Sequence, residues 1–474
     1  MSRLAPIVIF AQLAVAACDQ TRDLRLGEDA GGRTDQRRRS WTVGVGGPGA
    51  DGVGAIAIAP DGDLVVAGEF SGTARIGDRT LFATHVSGAG AFVAKLAHGG
   101  EVRWVTALEA AARMRGDLHD RHCLLHEVAV GPDGNIFATA HIAGTARVAG
   151  RELTAIGECD GLIVKLSASG EVLRAWSFGG TREDLVQGLV VDATGAITAS
   201  GRFQGEAVFG DRKLAAGGTG DGFVMRLDPA GGISWVVPLG SESPDSEGVT
   251  SRWEHTFGLA LDGEGSCYAA GKFVAAAKFG SVVLESNPSI GLGGYLAKLD
   301  GGGTVVNANA IATVSMPGPR RLALDPRGKI LLTGWIVTSQ GGDHPFLAAI
   351  DSTSLAWSFP WVGEAGYTTD VEVRGGALAI AGTHSSRMTL GAKTLTTAGG
   401  HDAFVARLDG SYRFIGAASA GGPGDDGANG VAIDPAGSLY VVGWFSETAT
   451  FGDTTLTSAG DHDGYVWKIP APEP

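Results

Sequence analysis

Seven copies of one unit run along this chain, and that repetition limits its fold more than any other feature. Each copy has an apolar strand, a tight turn, a second strand with an internal Gly, and a third strand of the form aromatic-Val-Ala-Lys-Leu. The first strands and turns read GAIAIAPDG, HEVAVGPDG, QGLVVDATG, FGLALDGEG, RRLALDPRG, DVEVRGG and NGVAIDPAG. Their turn glycines are Gly62, Gly134, Gly195, Gly265, Gly328, Gly376 and Gly437. Six residues after each stands Gly68, Ala140, Gly201, Gly271, Gly334, Gly382 or Gly443. The third strands span 91–96, 161–166, 222–227, 294–299, 345–350, 403–408 and 464–469. A fourth strand follows most copies and often ends in Trp: Trp104, Trp176, Trp235, Trp357. Six copies insert a segment such as RIGDRTL (75–81) between strands two and three, and the fifth lacks it.

Four antiparallel strands per unit, repeated at about sixty residues, predict an all-β fold, a seven-bladed β-propeller. An open array is the rival architecture. The last copy stops at Tyr465-Val466-Trp467-Lys468-Ile469 without a fourth strand. Ser40-Trp41-Thr42-Val43-Gly44 precedes the first copy and matches a fourth strand with its Trp. The N-terminal strand is therefore expected to complete the last blade and close the ring, which removes the unpaired edges of an open array. The propeller is expected over 41–469, followed by a tail at 470–474.

The first residues read MSRLAPIVIFAQLAVAACD. Arg3 and a short apolar run suit a signal peptide better than a spanning helix. Val15-Ala16-Ala17-Cys18 resembles the bacterial lipobox, which makes 1–18 a lipoprotein signal peptide and Cys18 the lipidation site. The plain alternative is an ordinary signal peptide with an incidental Cys. Residues 19–40 carry almost nothing apolar and are expected to form a disordered tether. The expected location is a bacterial outer membrane or cell surface, with the chain held by its lipid anchor and expected to be monomeric. A net charge of −14 argues against nucleic acid as partner.

The units resemble the SBBP β-propeller repeat of bacterial surface and exported proteins. The matching elements are the D-P-x-G turns (Asp325-Pro326-Arg327-Gly328, Asp434-Pro435-Ala436-Gly437), the strand Ala67 to Gly72, the insert Phe451 to Ser458 and the strand Asp402 to Asp409. Copies one, three and seven match best; copy two loses the second-strand Gly, copy five the insert, and copy six one residue of its first turn. The resemblance implies a fold and an exported setting and no activity.

Candidate sites follow from position in the repeat. The residue opening strand one is Gly54, His126, Gln187, Phe257, Arg320, Thr369 and Asn429 in blade order. It varies where its neighbours repeat, and it is expected at the mouth of the central channel as a ligand-contacting ring. The competing reading is a solvated strand end. Glu372 stands where other copies have Ala or Val, an isolated carboxylate in the first-strand layer. The third-strand cations Lys95, Lys165, Arg226, Lys298, Arg407 and Lys468 lie away from the axis and cannot converge on a ligand. Their heads are expected to meet Asp160, Asp221, Asp402 and Asp463.

Two long loops lead into first strands. Residues 105–125 carry a possible short helix with Asp117, His119, Asp120 and His122. Residues 236–256 carry Glu242, Asp245, Glu247, Trp253, Glu254 and His255. Asp117, His119, His122 and His126 have the types of a zinc-like site, but the spacing matches no motif and a hydrated loop is favoured, so no metal is assigned. Trp253 has the chemistry of a sugar-stacking platform, against the plainer reading of a rim contact. Gly424-Asp425-Asp426-Gly427 and Asp461-His462-Asp463-Gly464 have oxygens suited to calcium, yet Asp and Gly also make ordinary turns. No cofactor is otherwise expected. Cys123 and Cys159 stand at the same end of one blade and form a candidate disulfide, while Cys267 reads as a buried hydrophobe.

The sequence lacks a G-x-S-x-G elbow, an H-E-x-x-H pair and a P-loop. The expected function is a membrane-tethered binding or scaffolding propeller with a protein or glycan partner. The rival is a polysaccharide hydrolase or lyase with paired carboxylates on the loop face.

Overall fold

A computed structural model describes residues 39–472 except 84–87, 109–124, 149–150, 241–253, 288–291, 312–316 and 338–340. All regular elements among the described residues are strands, and the molecule is a seven-bladed β-propeller of four-stranded antiparallel blades. Blade 1 is built from Gly52–Ile58, Leu64–Ser71, Ala89–Leu96 and Val102–Leu108. The pattern repeats to blade 6, which is Gly366–Arg374, Ala377–His384, Asp402–Leu408 and Phe414–Ala420. The first strands touch one another in sequence around the axis, so they line the channel.

The ring closes as the chain ends require. Trp41–Gly46 is the fourth strand of blade 7 and pairs antiparallel with Asp463–Ile469, placing Thr42 opposite Trp467. Two expectations need adjustment. The fourth strands run past their tryptophans, as in Val172–Gly180, because the chain stays extended until it crosses to the next blade. Residues 105–108 and 236–239 therefore belong to strands rather than loops.

Neighbouring blades are fastened by recurring devices. Trp41, Trp104, Trp176 and Trp235 each donate an indole N–H to a carbonyl in the following blade, that of His98, Ala168, Gly231 and Gly301 at 3.0–3.1 Å. The six inserts are hairpins. Those of blades 1 and 3 pair with the fourth strand of the preceding blade, Ile76 opposite Val45 and Val208 opposite Gly179. All seven predicted turn glycines have positive φ, which an L side chain rarely adopts.

The third-strand cations are structural, but their partners are not the expected ones. Lys95 pairs with Asp61, Arg226 with Asp192 and Lys298 with Asp262, all in first turns. Arg407 donates to the Gly437 carbonyl, while Lys165 and Lys468 lie over the Phe137 and Tyr440 rings. Asp160, Asp221, Asp402 and Asp463 instead accept the backbone N–H of Ile156, Gly217, Ala398 and Ala459, four residues back in the loop each one closes.

Those aspartates face a second set of carboxylates. Asp51, Asp184 and Asp426 lead into first strands and each accepts two backbone N–H groups. One comes from the end of the preceding fourth strand (Gly47, Gly180, Gly422), the other from the end of the blade's own second strand (Ser71, Gln204, Ser446). Only a glycine separates each facing pair. A Cβ on Gly421 would stand 2.7 Å from Asp402 Oδ1 and 2.8 Å from Asp426 Oδ2, and one on Gly179 would stand 2.6 Å from Asp160 Oδ1 and 3.0 Å from Asp184 Oδ2. Burial pushes Asp51, Asp184 and Asp426 up to about 6, and raises Asp160, Asp402 and Asp463 as well.

The stability consequence has a definite sign. A carboxyl held near 6 when folded and at 3.8 when unfolded costs stability above pH 6, and the cost disappears as pH falls from 6 towards 3.8. The protein is expected to melt at a higher temperature at pH 5 than at pH 8. Asp402 is the informative member, because its Oδ1 is buried without a hydrogen-bond partner while Oδ2 accepts from Ala398. Asp402→Asn keeps the acceptor and turns an N–H towards Asp426. It is expected to stabilise by about 1 kcal/mol at pH 8 and by nothing at pH 4. Equal melting temperatures at pH 8 would overturn this account.

Candidate functional site

The channel mouth is built on a feature invisible in the strand pattern. In every blade the first strand carries a β-bulge against the second, and the bulged residue is the predicted varied position. Gly54 lies within the shift between Val53 and Ala55, His126 within Leu125/Glu127 and Gln187 within Val186/Gly188. Phe257, Arg320, Thr369 and Asn429 follow in the remaining blades. A bulge leaves one residue unpaired and re-aims its side chain, so one local irregularity presents seven different residues around one rim.

The bulge also explains the second-strand glycine. The carbonyl two residues before the bulge is driven against it. An added Cβ would stand 1.9 Å from Leu185 O at Gly201, 1.9 Å from His255 O at Gly271 and 2.1 Å from Gly52 O at Gly68.

The predicted ring divides by what its side chains do. Thr369 donates to the Ala428 carbonyl at 2.9 Å, and Asn429 to the Val53 carbonyl at 3.0 Å, each latching its blade to the next. Gln187 Oε1 lies 3.3 Å from His255 Nδ1. The His126 ring is 5.6 Å from that of His141. Phe257 and Arg320, by contrast, lie against each other, the guanidinium 5.5 Å from the ring centroid, and both are half-exposed; His126, Thr369 and Asn429 share that exposure.

A second rim was missed in the sequence. The residue after the second-strand glycine is Glu69, His141, Arg202, Lys272, Trp335, Thr383 or Trp444 (after Ala140 for His141), and its variation was the available signal. It enlarges one quadrant. Trp335 lies 5.0 Å from the Arg320 guanidinium, the Lys272 ammonium 5.8 Å from the Phe257 ring, and His255 stacks on Phe257 at 5.0 Å and 12°. His255 is buried at the start of its strand rather than in a loop. Burial, reinforced by the charges of Arg202, Lys272, Arg320 and His126, holds it well below 6.5 and so neutral. Arg202 pairs with Glu183, and Glu254 is a buried acceptor for Val274 N rather than a loop carboxylate.

Below the rim the channel is crossed by charge. Glu127, Arg321 and Asp370 directly follow their bulges. Arg321 pairs with Glu127 of blade 2 and lies 3.5 Å from Asp370 of blade 6. One layer deeper stand Ala57, Ala129, Val190, Ala260, Ala323, Glu372 and Ala432. Glu372 is the one carboxyl of this layer, below Glu127 and Asp370, and burial, aided by Asp370, pushes it up to about 8.

Asp117, His119, His122, Trp253 and Cys123 lie outside the described residues, as do Cys18 and the signal-peptide region. Cys159 is buried, and burial pushes its thiol up; Cys267 is buried in its strand as expected. Among the described residues no group of three or more His, Cys, Asp or Glu is placed to hold a metal ion, and no helix is long and apolar enough to cross a membrane. In the two acidic turns, Asp425 accepts from His401 and Asp426 from Gly422 and Ser446 in the first, and Asp463 from Ala459 in the second.

Fold and rim together define a seven-bladed β-propeller with a cation-aromatic quadrant at one mouth of a charge-plugged channel. No family model matches the chain. It is similar to the regulatory protein FlaEY of Caulobacter vibrioides, at 24% identity over 380 residues; these are 72% of this chain and 38% of the length of that relative. Among solved structures it is similar to a PL25 ulvan lyase (TM-score 0.47, 10% identity, covering 90% of this chain and 97% of the other). It is also similar to the virginiamycin B lyase of Staphylococcus aureus (TM-score 0.41, 10% identity, covering 91% and 100%).

Proposed function

We propose that this is an exported, lipid-anchored binding propeller that engages a protein or glycan partner at the bulge-bearing mouth of its channel. One observation carries the reading: seven near-identical strands deform at the same position, and the seven residues displayed there are all different. A scaffold that repeats its core and diversifies its rim is built for recognition. The hydrolase or lyase reading needs carboxylates able to exchange protons. Of the channel carboxylates, Glu127 and Asp370 share the Arg321 guanidinium, and Asp370 and Glu372, both raised by burial, stand below the rim that displays the varied residues rather than as a pair across its mouth.

The test is capture on glycan arrays and by surface-protein pull-down with the full chain, beside Trp444→Ala on the rim and Ile415→Ser on the outer edge of blade 6. Capture lost in the first variant and kept in the second is the expected result. No capture, or equal capture by the rim variant, would overturn the proposal.

A further inference from the structure

We infer that the Phe257–Arg320–Trp335 quadrant is a carboxylate-recognition site for an acidic sugar, with Arg320 as the anion-binding group. The inference rests on the binding reading above and names the ligand chemistry of that mouth.

Arg320 lies between two aromatic rings. Its guanidinium lies 5.5 Å from the Phe257 centroid and 5.0 Å from the Trp335 centroid, in a slot between blades 4 and 5. Its Nε is buried without a hydrogen-bond partner. The neighbouring carboxylates do not serve it, because Glu127 and Asp370 are both taken by Arg321. A buried N–H with no acceptor is costly, and the two rings confine the guanidinium to the slot between them. A planar arginine of this kind matches the two oxygens of a carboxylate, which a lysine cannot reproduce.

The surroundings suit such an anion. Lys272 adds positive charge over Phe257, and neutral His255 adds a ring rather than a charge. On a chain of net charge −14, Arg320 and Lys272 bring two cationic side chains together over Phe257 at this rim, so a ligand carboxylate is drawn here rather than to the rest of the surface. Trp335 and Phe257 are half-exposed, so the parts of their rings not covered by Arg320, Lys272 and His255 leave an apolar border beside the guanidinium for the C–H surface of a sugar ring, a contact an acidic side chain does not exploit. That favours a uronate-bearing glycan over an acidic peptide.

The experiment is calorimetric titration of the full chain with oligogalacturonate, its fully methyl-esterified form and oligoglutamate. Arg320→Lys and Arg320→Ala are titrated alongside, their folding checked by thermal unfolding. The wild type is expected to bind the uronate at least about tenfold more tightly than the ester, and Arg320→Lys to lose about tenfold. Equal binding of ester and acid, or an unchanged Arg320→Ala, overturns the inference; tighter binding of oligoglutamate replaces the sugar by an acidic peptide and overturns it too. Array capture that depends on Trp444 but not on Arg320 or carboxylate would leave the binding reading standing while this one falls.

Discussion

Deleting residues 1–46 is expected to cost the protein its cooperative fold. The lost strand, Trp41–Gly46, supplies the outer edge of blade 7 and five paired positions against Gly464 to Lys468. It also holds the blade 1 insert, through Val45 opposite Ile76, and ties blade 7 to blade 1 through the Trp41 indole on His98. Val45 is fully buried, and Trp41 and Val43 are partly so. Burial of such side chains contributes about 1.5–3 kcal/mol each, so the loss is about 4 kcal/mol or more before ladder bonds are considered. The exposed edge of Asp463–Ile469 would then pair with other chains. Thermal unfolding and sedimentation should show a broad, low transition and self-association. A deletion of residues 1–38 should keep the full melting temperature, because the closing strand remains. A 1–46 deletion that stays monomeric with an unchanged transition would mean that closure does not stabilise this ring.

Closure was legible because both ends of the repeat were incomplete in complementary ways, a strand missing after Ile469 and one present at Trp41. The blade count was legible for a related reason: turn glycines and second-strand glycines recur at a constant offset, and both respond to backbone sterics, which act locally. The partners of the third-strand cations were not legible. Asp160 and Asp402 are nearest in sequence to Lys165 and Arg407, but closing their own loops satisfies them. The first-turn aspartates reach the cations only because antiparallel pairing folds Asp61 back beside Lys95. The varied rim position was found as a pattern without its cause, since a bulge leaves no signature in hydrophobic periodicity. Sequence position likewise could not separate Arg320, which lies between two rings, from Thr369 and Asn429, which spend their side chains on the next blade.

The one blade without a second-strand glycine tests why the others keep it. Second-strand glycines face an aromatic across the ladder, Gly68 opposite Phe92, Gly201 opposite Phe223, Gly271 opposite Tyr295 and Gly382 opposite Phe404. A Cβ on Gly201 would stand 3.0 Å from the Phe223 ring as well as 1.9 Å from the Leu185 carbonyl, and a backbone oxygen cannot yield cheaply. Gly201→Ala is therefore expected to lose about 3 kcal/mol, the upper end of ordinary overpacking. Blade 2 has Ala140 at this position, and its partner is Leu162 rather than an aromatic. The smaller side chain makes room for the extra methyl. Leu162→Phe alone should cost about 2 kcal/mol by overpacking against Ala140, and Ala140→Gly alone about 1 kcal/mol in strand entropy and lost contact. Together they restore the arrangement of the other blades, so the double variant should be more stable than the sum of the singles by at least about 1 kcal/mol. Denaturant unfolding of the four proteins measures that coupling. Strict additivity would mean that the glycine answers only to the bulge carbonyl, and that the aromatic opposite it is incidental.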